Sequence, residues 1–296
     1  MKIMCRFFLI ALAFGLSFCA DDGAMKGSLT LSITDSPIDA DNVKGVNIFI
    51  NSVNAKSGGE WKSLKTFDQA VGINLTEYSG GHAYTLIDQY IDAGKFTALR
   101  FNLNLADLNS SLILSPQCNV LFADGSTKPI YFFESAPSNV IVTQELIVNS
   151  RGHVDFTFDV DVRKSLTMDD LGNYIFKPVI RTIETAKAGH IQATVTNYNV
   201  TDRLVVFAYP SGQFSPSETT PPSAGEVRFK NAITSFKIAN GKFGLGFLPA
   251  GNYDLVFAKH SGSGEFLSVL GRYDGVTVIA TETVQLEIDL TKLSGS

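Results

Sequence analysis

Carboxylates are the side chains of this sequence best placed to do chemistry. Asp155, Asp159 and Asp161 fall at alternating positions of the run His153 to Arg163. Residues two apart on a strand share a face, so this run would line up three acids beside Thr157 and Arg163. Asp35, Asp39 and Asp41 form a second group in the loop Thr34 to Asn42. If that loop met the strand, hard oxygen ligands would converge as a divalent cation requires. Two such acids roughly 5–10 Å apart in a cleft would suit glycoside hydrolysis. Neither group has the spacing of an EF-hand loop. The simpler expectation is turn-forming Asp in the loop and a solvated strand face, with Arg163 and Lys164 as local counter-charges. On that expectation, Asp159→Asn and Asp161→Asn each change stability by no more than about 0.5 kcal/mol.

Other reactive patterns are scarce. The sequence spells no HExxH, CxxC, Gly-rich P-loop or GxGxxG. His260-Ser261-Gly262-Ser263-Gly264 lacks the Gly two before either Ser that a nucleophile elbow needs, and reads as a hairpin loop. His82, His153, His190 and His260 are scattered and show no ligand spacing. Cys118 opens a strand pattern with no nearby cation in sequence to lower its pKa, so it reads as a buried residue rather than a nucleophile. Trp61 follows a Gly-Gly turn and is expected to pack on a neighbouring strand rather than present its ring to a sugar. The expectation is therefore a protein with no catalytic residue, no metal site and no cofactor.

The elements that must position these groups are strands. Leu29, Leu31 and Ile33 alternate with Ser28, Thr30 and Ser32, and Val154, Phe156, Phe158, Val160 and Val162 alternate with the acids named above. The latter strand is expected to pair with Val140 to Val148 through Asn149-Ser150-Arg151-Gly152. Val120 to Ala123 and Lys128 to Phe132 form a hairpin around Asp124-Gly125, the chemistry of a tight turn. Helical signals are confined to short stretches at Phe67 to Ile73 and Ser165 to Leu171. The pattern breaks at Lys187-Ala188-Gly189, after which about seven strands follow. Tyr209 to Glu226, rich in Pro, Ser and Thr, reads as an extended loop open to proteolysis over Ser211 to Gly225. The class is all-β: two antiparallel β-sandwich domains in tandem, 27–186 and 189–292.

Composition narrows the setting. The chain has 296 residues, 45% of them hydrophobic, which supports a real core. Its net charge of −5 gives no basic face for nucleic acid. Residues 1–18 carry Lys2 and Arg6 before an apolar run, Phe7 to Phe18, too short to anchor as a bilayer span. Leu16-Ser17-Phe18-Cys19 resembles a bacterial lipobox, which implies cleavage before Cys19 and acylation of Cys19, for example with palmitate. Residues 19–26 would then be an acidic flexible tether. Asp21-Asp22 resembles the signal that sends some lipoproteins to the outer face of Gram-negative cells. The implied site is the cell envelope, at the outer membrane and the cell surface. With Cys19 acylated, Cys118 has no intramolecular disulfide partner.

Gly27-Ser28-Leu29-Thr30-Leu31-Ser32-Ile33-Thr34-Asp35-Ser36-Pro37 resembles the opening of a bacterial lipoprotein domain family of unknown function, which usually reads T-D-A-P here. Ala93-Gly94-Lys95-Phe96, Asp159-Val160-Asp161 with Lys164-Ser165, and Lys177-Pro178-Val179-Ile180-Arg181 match in order and spacing over about Gly27 to Glu184. The resemblance implies an all-β, lipid-anchored envelope module and supplies no catalytic residue. Leu248-Pro249-Ala250-Gly251-Asn252-Tyr253-Asp254 is similar to transthyretin-like or carboxypeptidase-regulatory-like sandwiches, usually non-catalytic appendages. The reading is a lipid-anchored envelope protein that binds or scaffolds, held to the membrane through its N-terminal lipid, its envelope-protein or glycan partner unnamed. A hydrolase using paired carboxylates and a cation-dependent adhesion module are the alternatives. They turn on whether the Asp35 and Asp155 groups converge on an ion.

Overall fold

The computed structural model describes residues 25–36, 42–107, 116–132, 139–223, 226–261 and 264–295; Cys19, Asp39 and Asp41 lie outside them. Fourteen strands build the first half. They are β1 (Lys26–Ser36), β2 (Val43–Ser57), β3 (Glu60–Asn74), β4 (Tyr84–Asp92), β5 (Gly94–Phe96), β6 (Ala98–Leu103), β7 (Asn119–Phe122), β8 (Thr127–Phe132), β9 (Asn139–Val142), β10 (Leu146–Val148), β11 (His153–Asp161), β12 (Leu166–Met168), β13 (Tyr174–Phe176) and β14 (Ile180–Glu184). One helical turn, α1 (Val162–Ser165), follows β11. The second half holds β15 (Ala188–Thr196), β16 (Arg203–Pro210), β17 (Thr234–Lys237), β18 (Lys242–Pro249), β19 (Gly251–His260), β20 (Phe266–Val278) and β21 (Thr283–Asp289).

The fold is all-β and sandwich-like. In the first half the sheet β14-β11-β1-β4 faces the sheet β12-β13-β8-β7-β2-β6-β9, with β3 added along β2 and a small β10-β5 pair alongside. Alternation places Leu31, Ile33 and Phe158 on one inner face and Val46, Ile50 and Phe101 on the other, in one buried cluster. Phe101 meets Phe158 edge to face at 5.3 Å. In the second half β18-β15-β21 faces β17-β16-β19-β20 around Ile191, Val206, Leu255 and Phe257. β16 is buried on both faces, which is why Leu204 to Tyr209 is an unbroken apolar run. Its second face, Val205, Phe207 and Tyr209, packs with Phe229 and Ala232 in a separate cluster.

Pairing departs from the sequence expectation in several places. The sheets are not purely antiparallel: β1 lies parallel to β11, β8 to β13, and β15 to β21. β11 does not form a hairpin with β10. Arg151 adopts a left-handed conformation with φ 57°, its N–H goes to the Lys26 carbonyl at 2.8 Å, and the chain crosses to the other sheet. Phe67 to Ile73 is strand, held antiparallel along β2. The helical turn ends at Ser165, because Leu166–Met168 pairs with β13. The intervening turn is closed by Asp169, whose side chain accepts from the Leu171 and Asn173 amides. The Asp124-Gly125 hairpin forms as expected, with Gly125 at φ 84° between β7 and β8.

The Pro-rich segment after β16 is not simply extended. A single 3-10 turn, Pro216–Thr219, buries Glu218. That carboxylate accepts from the Tyr209 hydroxyl at 3.0 Å, the Asn231 amide N–H at 2.9 Å and the Asn231 side chain at 3.1 Å. Phe214 packs on Tyr209 at 5.3 Å. These anchors were invisible locally, because Glu218 and Phe214 find their partners only once β16 is in place. Residues 211–219 are therefore expected to resist limited proteolysis. Glu218→Ala strands a buried hydroxyl and amide, lowers stability by about 1–3 kcal/mol, and opens the segment to cleavage. Mass spectrometry of timed digests checks both outcomes.

Candidate functional site

The second face of β11 is not wet. Thr157, Asp159 and Asp161 are 1%, 3% and 5% exposed. β14 runs beside β11 and sets Arg181 opposite Asp159. Beyond it, Ile183, Ala188 and Phe247 form a small apolar cluster that joins the two halves of the molecule. The expectation of a solvated acid face is overturned because the second half packs where water was assumed.

Burial of these acids is matched by cations. Arg181 donates to Asp159 at 2.5 Å and, with its other terminal nitrogen, to the Phe247 carbonyl at 2.6 Å. Asp161 caps α1 by accepting from the Lys164 amide at 3.0 Å. It also pairs with the Lys164 ammonium at 2.9 Å, and Arg163 stands 4.0 Å away. Both cations then reach across. Lys164 donates to the Ala232 carbonyl at 2.7 Å, and Arg163 donates to the carbonyls of Arg228 and Phe229. The Arg163 guanidinium also lies over the Phe207 ring, 5.4 Å from its centre. Ser165 ties the two motifs together: its hydroxyl accepts from the Val179 N–H at 2.8 Å, and its carbonyl accepts from Lys177 N at 2.7 Å.

Two acceptors in this seam have unusual backbone. Phe229 and Phe247 have φ of 54° and 53°. Bulky residues rarely adopt this region, and such conformations persist only where surrounding contacts over-determine them. At Phe247 the N–H points to His190 Nδ1 at 3.4 Å and the carbonyl receives Arg181. At Phe229 the N–H reaches the Glu218 carbonyl and the carbonyl receives Arg163. Glycines close the other side of the seam. A Cβ on Gly246 would lie 2.4 Å from Gly81 Cα, and one on Gly244 would lie 2.9 Å from the Gly80 carbonyl. The Tyr78-Ser79-Gly80-Gly81-His82 loop thus lies backbone to backbone on β18.

Asp35 joins this region without completing an oxygen cage. The parallel register sets it beside Val160, on the opposite face from Asp159 and Asp161. Its Oδ1 accepts from the Val162 N–H at 3.2 Å. Asp155 accepts from the Thr185 hydroxyl at 3.0 Å. Among the described residues no group of three or more His, Cys, Asp or Glu could hold a metal ion. The strand acids Asp159, Asp161 and Asp155 are engaged with Arg181, Lys164 and Thr185 respectively, while Asp39 and Asp41 of the loop lie outside the described residues.

The remaining candidates also have settled surroundings. Cys118 is buried, its sulfur accepts from the Phe49 N–H at 3.2 Å, and burial pushes its thiol up to about 12. Lys56 on the paired strand β2 and Arg100 on β6 lie over the Trp61 ring, 5.9 Å and 4.5 Å from its centre, so Trp61 packs on its neighbour strand. His153 is exposed beside Ser28, and His82 is exposed on the glycine loop. His190 is wedged between Gly81 and the Phe247 ring. His260 is 6% exposed between Phe207 and Phe266. Burial, then the charges of Arg203, Arg228 and Arg163, pushes it down to about 4. Of the seam residues, Gly80, Gly81, Gly244 and Gly246 carry no separate signal in one sequence, whereas Arg163 stood out only as a counter-charge to the acids and Arg181 only as the end of the Lys177 to Arg181 motif.

With this geometry in view, the chain belongs to the family described as a domain of unknown function, DUF4382, whose model matches residues 26–178. The match ends three residues before Arg181, so the seam is built from the last motifs of the family domain and the strand that follows. No curated protein matches the chain. Among solved structures, the minor pilin GBS52 of Streptococcus agalactiae is 12% identical, with a TM-score of 0.23, covering 88% of this chain and 94% of its own. The shaft pilin SpaA of Lactobacillus rhamnosus GG is 11% identical, with a TM-score of 0.22, at 92% and 99% coverage. A candidate adhesin of Bacteroides ovatus is 8% identical, with a TM-score of 0.22, at full coverage of both chains. Likenesses this distant carry no argument about function.

Two outcomes follow from the seam. Asp159→Ala leaves Arg181 without its carboxylate and is expected to cost about 3 kcal/mol, as does Arg181→Ala. The double variant should cost clearly less than the sum, read from urea midpoints in a double-mutant cycle. This replaces the expectation of about 0.5 kcal/mol for a solvated face. His260 binds fewer protons folded than unfolded between its depressed pKa of about 4 and the unfolded value near 6.5. Its contribution is therefore complete above about pH 6.5 and is lost as pH falls towards 4, up to about 3 kcal/mol. His190, lowered by burial and then by His82, acts in the same direction. Urea midpoints at pH 7 and pH 4.5 should differ less for His260→Phe than for the parent.

Proposed function

We propose that this chain is a lipid-anchored cell-envelope protein that binds or scaffolds rather than catalyses, with Cys19 as its acylated residue. One observation carries the non-catalytic part: Asp159 and Asp161, the acids best placed for chemistry, are buried in ion pairs whose cations hold the two halves together. Such groups serve architecture, and removing either would be felt first as stability. The family domain, residues 27–186 in this reading, would be the module next to the membrane. Residues 189–292 would be a transthyretin-like sandwich fixed rigidly to it, presenting its far surface to an envelope protein or glycan.

The anchor rests on the sequence at the N-terminus. Lys2 and Arg6, the apolar run to Phe18 and the Leu16-Ser17-Phe18-Cys19 ending support lipid attachment at Cys19. Asp21-Asp22 supports an outer-membrane location with exposure at the cell surface. Among the described residues no helix is long and apolar enough to cross a membrane. Two acyl chains suffice for stable anchoring. Cys19→Ala is expected to move the protein from the detergent phase to the aqueous phase in a phase-separation assay. Retention of the variant in the detergent phase would refute the anchor.

A further inference from the structure

We propose that the end of the first sandwich where β1 begins is a second membrane contact, which takes the phosphate of an anionic lipid headgroup between Lys26 and Lys62. The proposal rests on the anchored reading above for its orientation. Five residues separate Cys19 from Met25, and the six Cα-to-Cα steps between them span at most roughly 20 Å. A lipid at Cys19 would therefore keep this end within that distance of the bilayer.

The surface at this end suits that position. Between the edges of β3 and β4 lies an open recess of about 270 Å³, lined by Lys26, Lys62, Ser63, Gln89, Tyr90 and Asp92 among others. Among the described residues β3 pairs only with β2, and β4 only with β1, so the recess sits between two sheet edges. The Gln89 side chain spans it by donating to the Leu64 carbonyl at 2.7 Å. Lys26 and Lys62 are exposed at its rim. The Arg151 backbone N–H donates to the Lys26 carbonyl. The acid at this rim is Asp92, paired in register with Lys26. Lys95, one strand further on, is neutralised by Glu145 at 2.6 Å. Among the lining residues two cations thus face one acid, on a protein whose net charge is −5.

Apolar side chains surround these charges. Met25, Tyr90 and Ile147 are 65%, 74% and 50% exposed. They gather at this end through the Ser28–Tyr90 and Lys95–Ile147 register pairs, and through the Met25 carbonyl, which accepts from Ala93 N. Tyr90 is the most exposed large aromatic among the described residues. An exposed phenol at a recess lined by two lysines, with two apolar side chains at the same end, suits the headgroup boundary, where amphipathic rings sit and cations meet lipid phosphates. A basic residue near an anionic surface contributes about 1 kcal/mol, roughly fivefold in partition.

The test uses the chain from Ala20 onward, which keeps every described residue and carries neither lipid nor signal run. Sedimentation with vesicles of phosphatidylcholine, alone or mixed with phosphatidylglycerol, is expected to show binding to the mixed vesicles only, weakened by salt. Lys26→Glu combined with Lys62→Glu should lower that partition by at least about tenfold, with circular dichroism unchanged. Tyr90→Ala, at an exposed site, should weaken binding without disturbing the fold. Lys242→Glu, on the second half, should leave it unchanged. Equal binding to both vesicle types, or full binding by the charge-reversed variant, would overturn the proposal. Competition by inorganic phosphate beyond that of chloride at matched ionic strength would also overturn it, showing a phosphate site rather than a membrane contact. Because this chain lacks Cys19, the result is independent of acylation, and failure of the anchor appears separately in the Cys19→Ala phase assay.

Discussion

The structure depends on a guanidinium shared between a buried carboxylate and a carbonyl of the other half of the chain. Arg181 joins Asp159 to Phe247, and the neighbouring Arg163 and Lys164 repeat the arrangement from the Asp161 side towards residues 228–232. A buried carboxylate without a cation is costly, and so is a buried guanidinium without acceptors. Each therefore requires the other, and both require the carbonyls on the second half. The contact has little freedom to slide, because Arg181 reaches Phe247 only when β14 and β18 lie in this relation.

That constraint accounts for features that otherwise have no cause. Phe229 and Phe247 adopt left-handed backbone in places where glycine would be expected. In each case the conformation turns a carbonyl towards an arginine of the first half, and the local cost is offset by a charge-assisted hydrogen bond in a dry site. The glycines at 80, 81, 244 and 246 serve the same seam from its other side, where two backbones meet with no room for a Cβ. His260 belongs here too. It sits beside the aromatic cluster that Arg163 enters, among three arginines, so a neutral imidazole is the form this packing accepts.

The arrangement has a consequence for evolution of the surface. With these polar groups committed to joining the halves, the two halves pack directly on each other rather than as two beads on a linker. β14 passes into β15 through a single 3-10 turn, Thr185–Lys187, leaving no slack between them.

Much of the plan was legible in the residues. Alternation of small polar and apolar residues made β1 and β11 strands, and Asp124-Gly125 made its hairpin. These are local signals, since side-chain period and turn chemistry act over a few residues. The motifs around Asp159 to Ser165 and Lys177 to Arg181 were visible as a pattern, but their meaning was not. A strand face carrying Asp155, Thr157, Asp159 and Asp161 has the same alternation whether water or protein lies over it. Only the tertiary structure decided that Phe247, some 90 residues away, covers it, that Arg181 rather than solvent answers Asp159, and that β11 pairs with β1 instead of β10. The reason is physical: periodicity states which side chains share a face, whereas the occupant of that face is settled by long-range packing that no short stretch of chain contains.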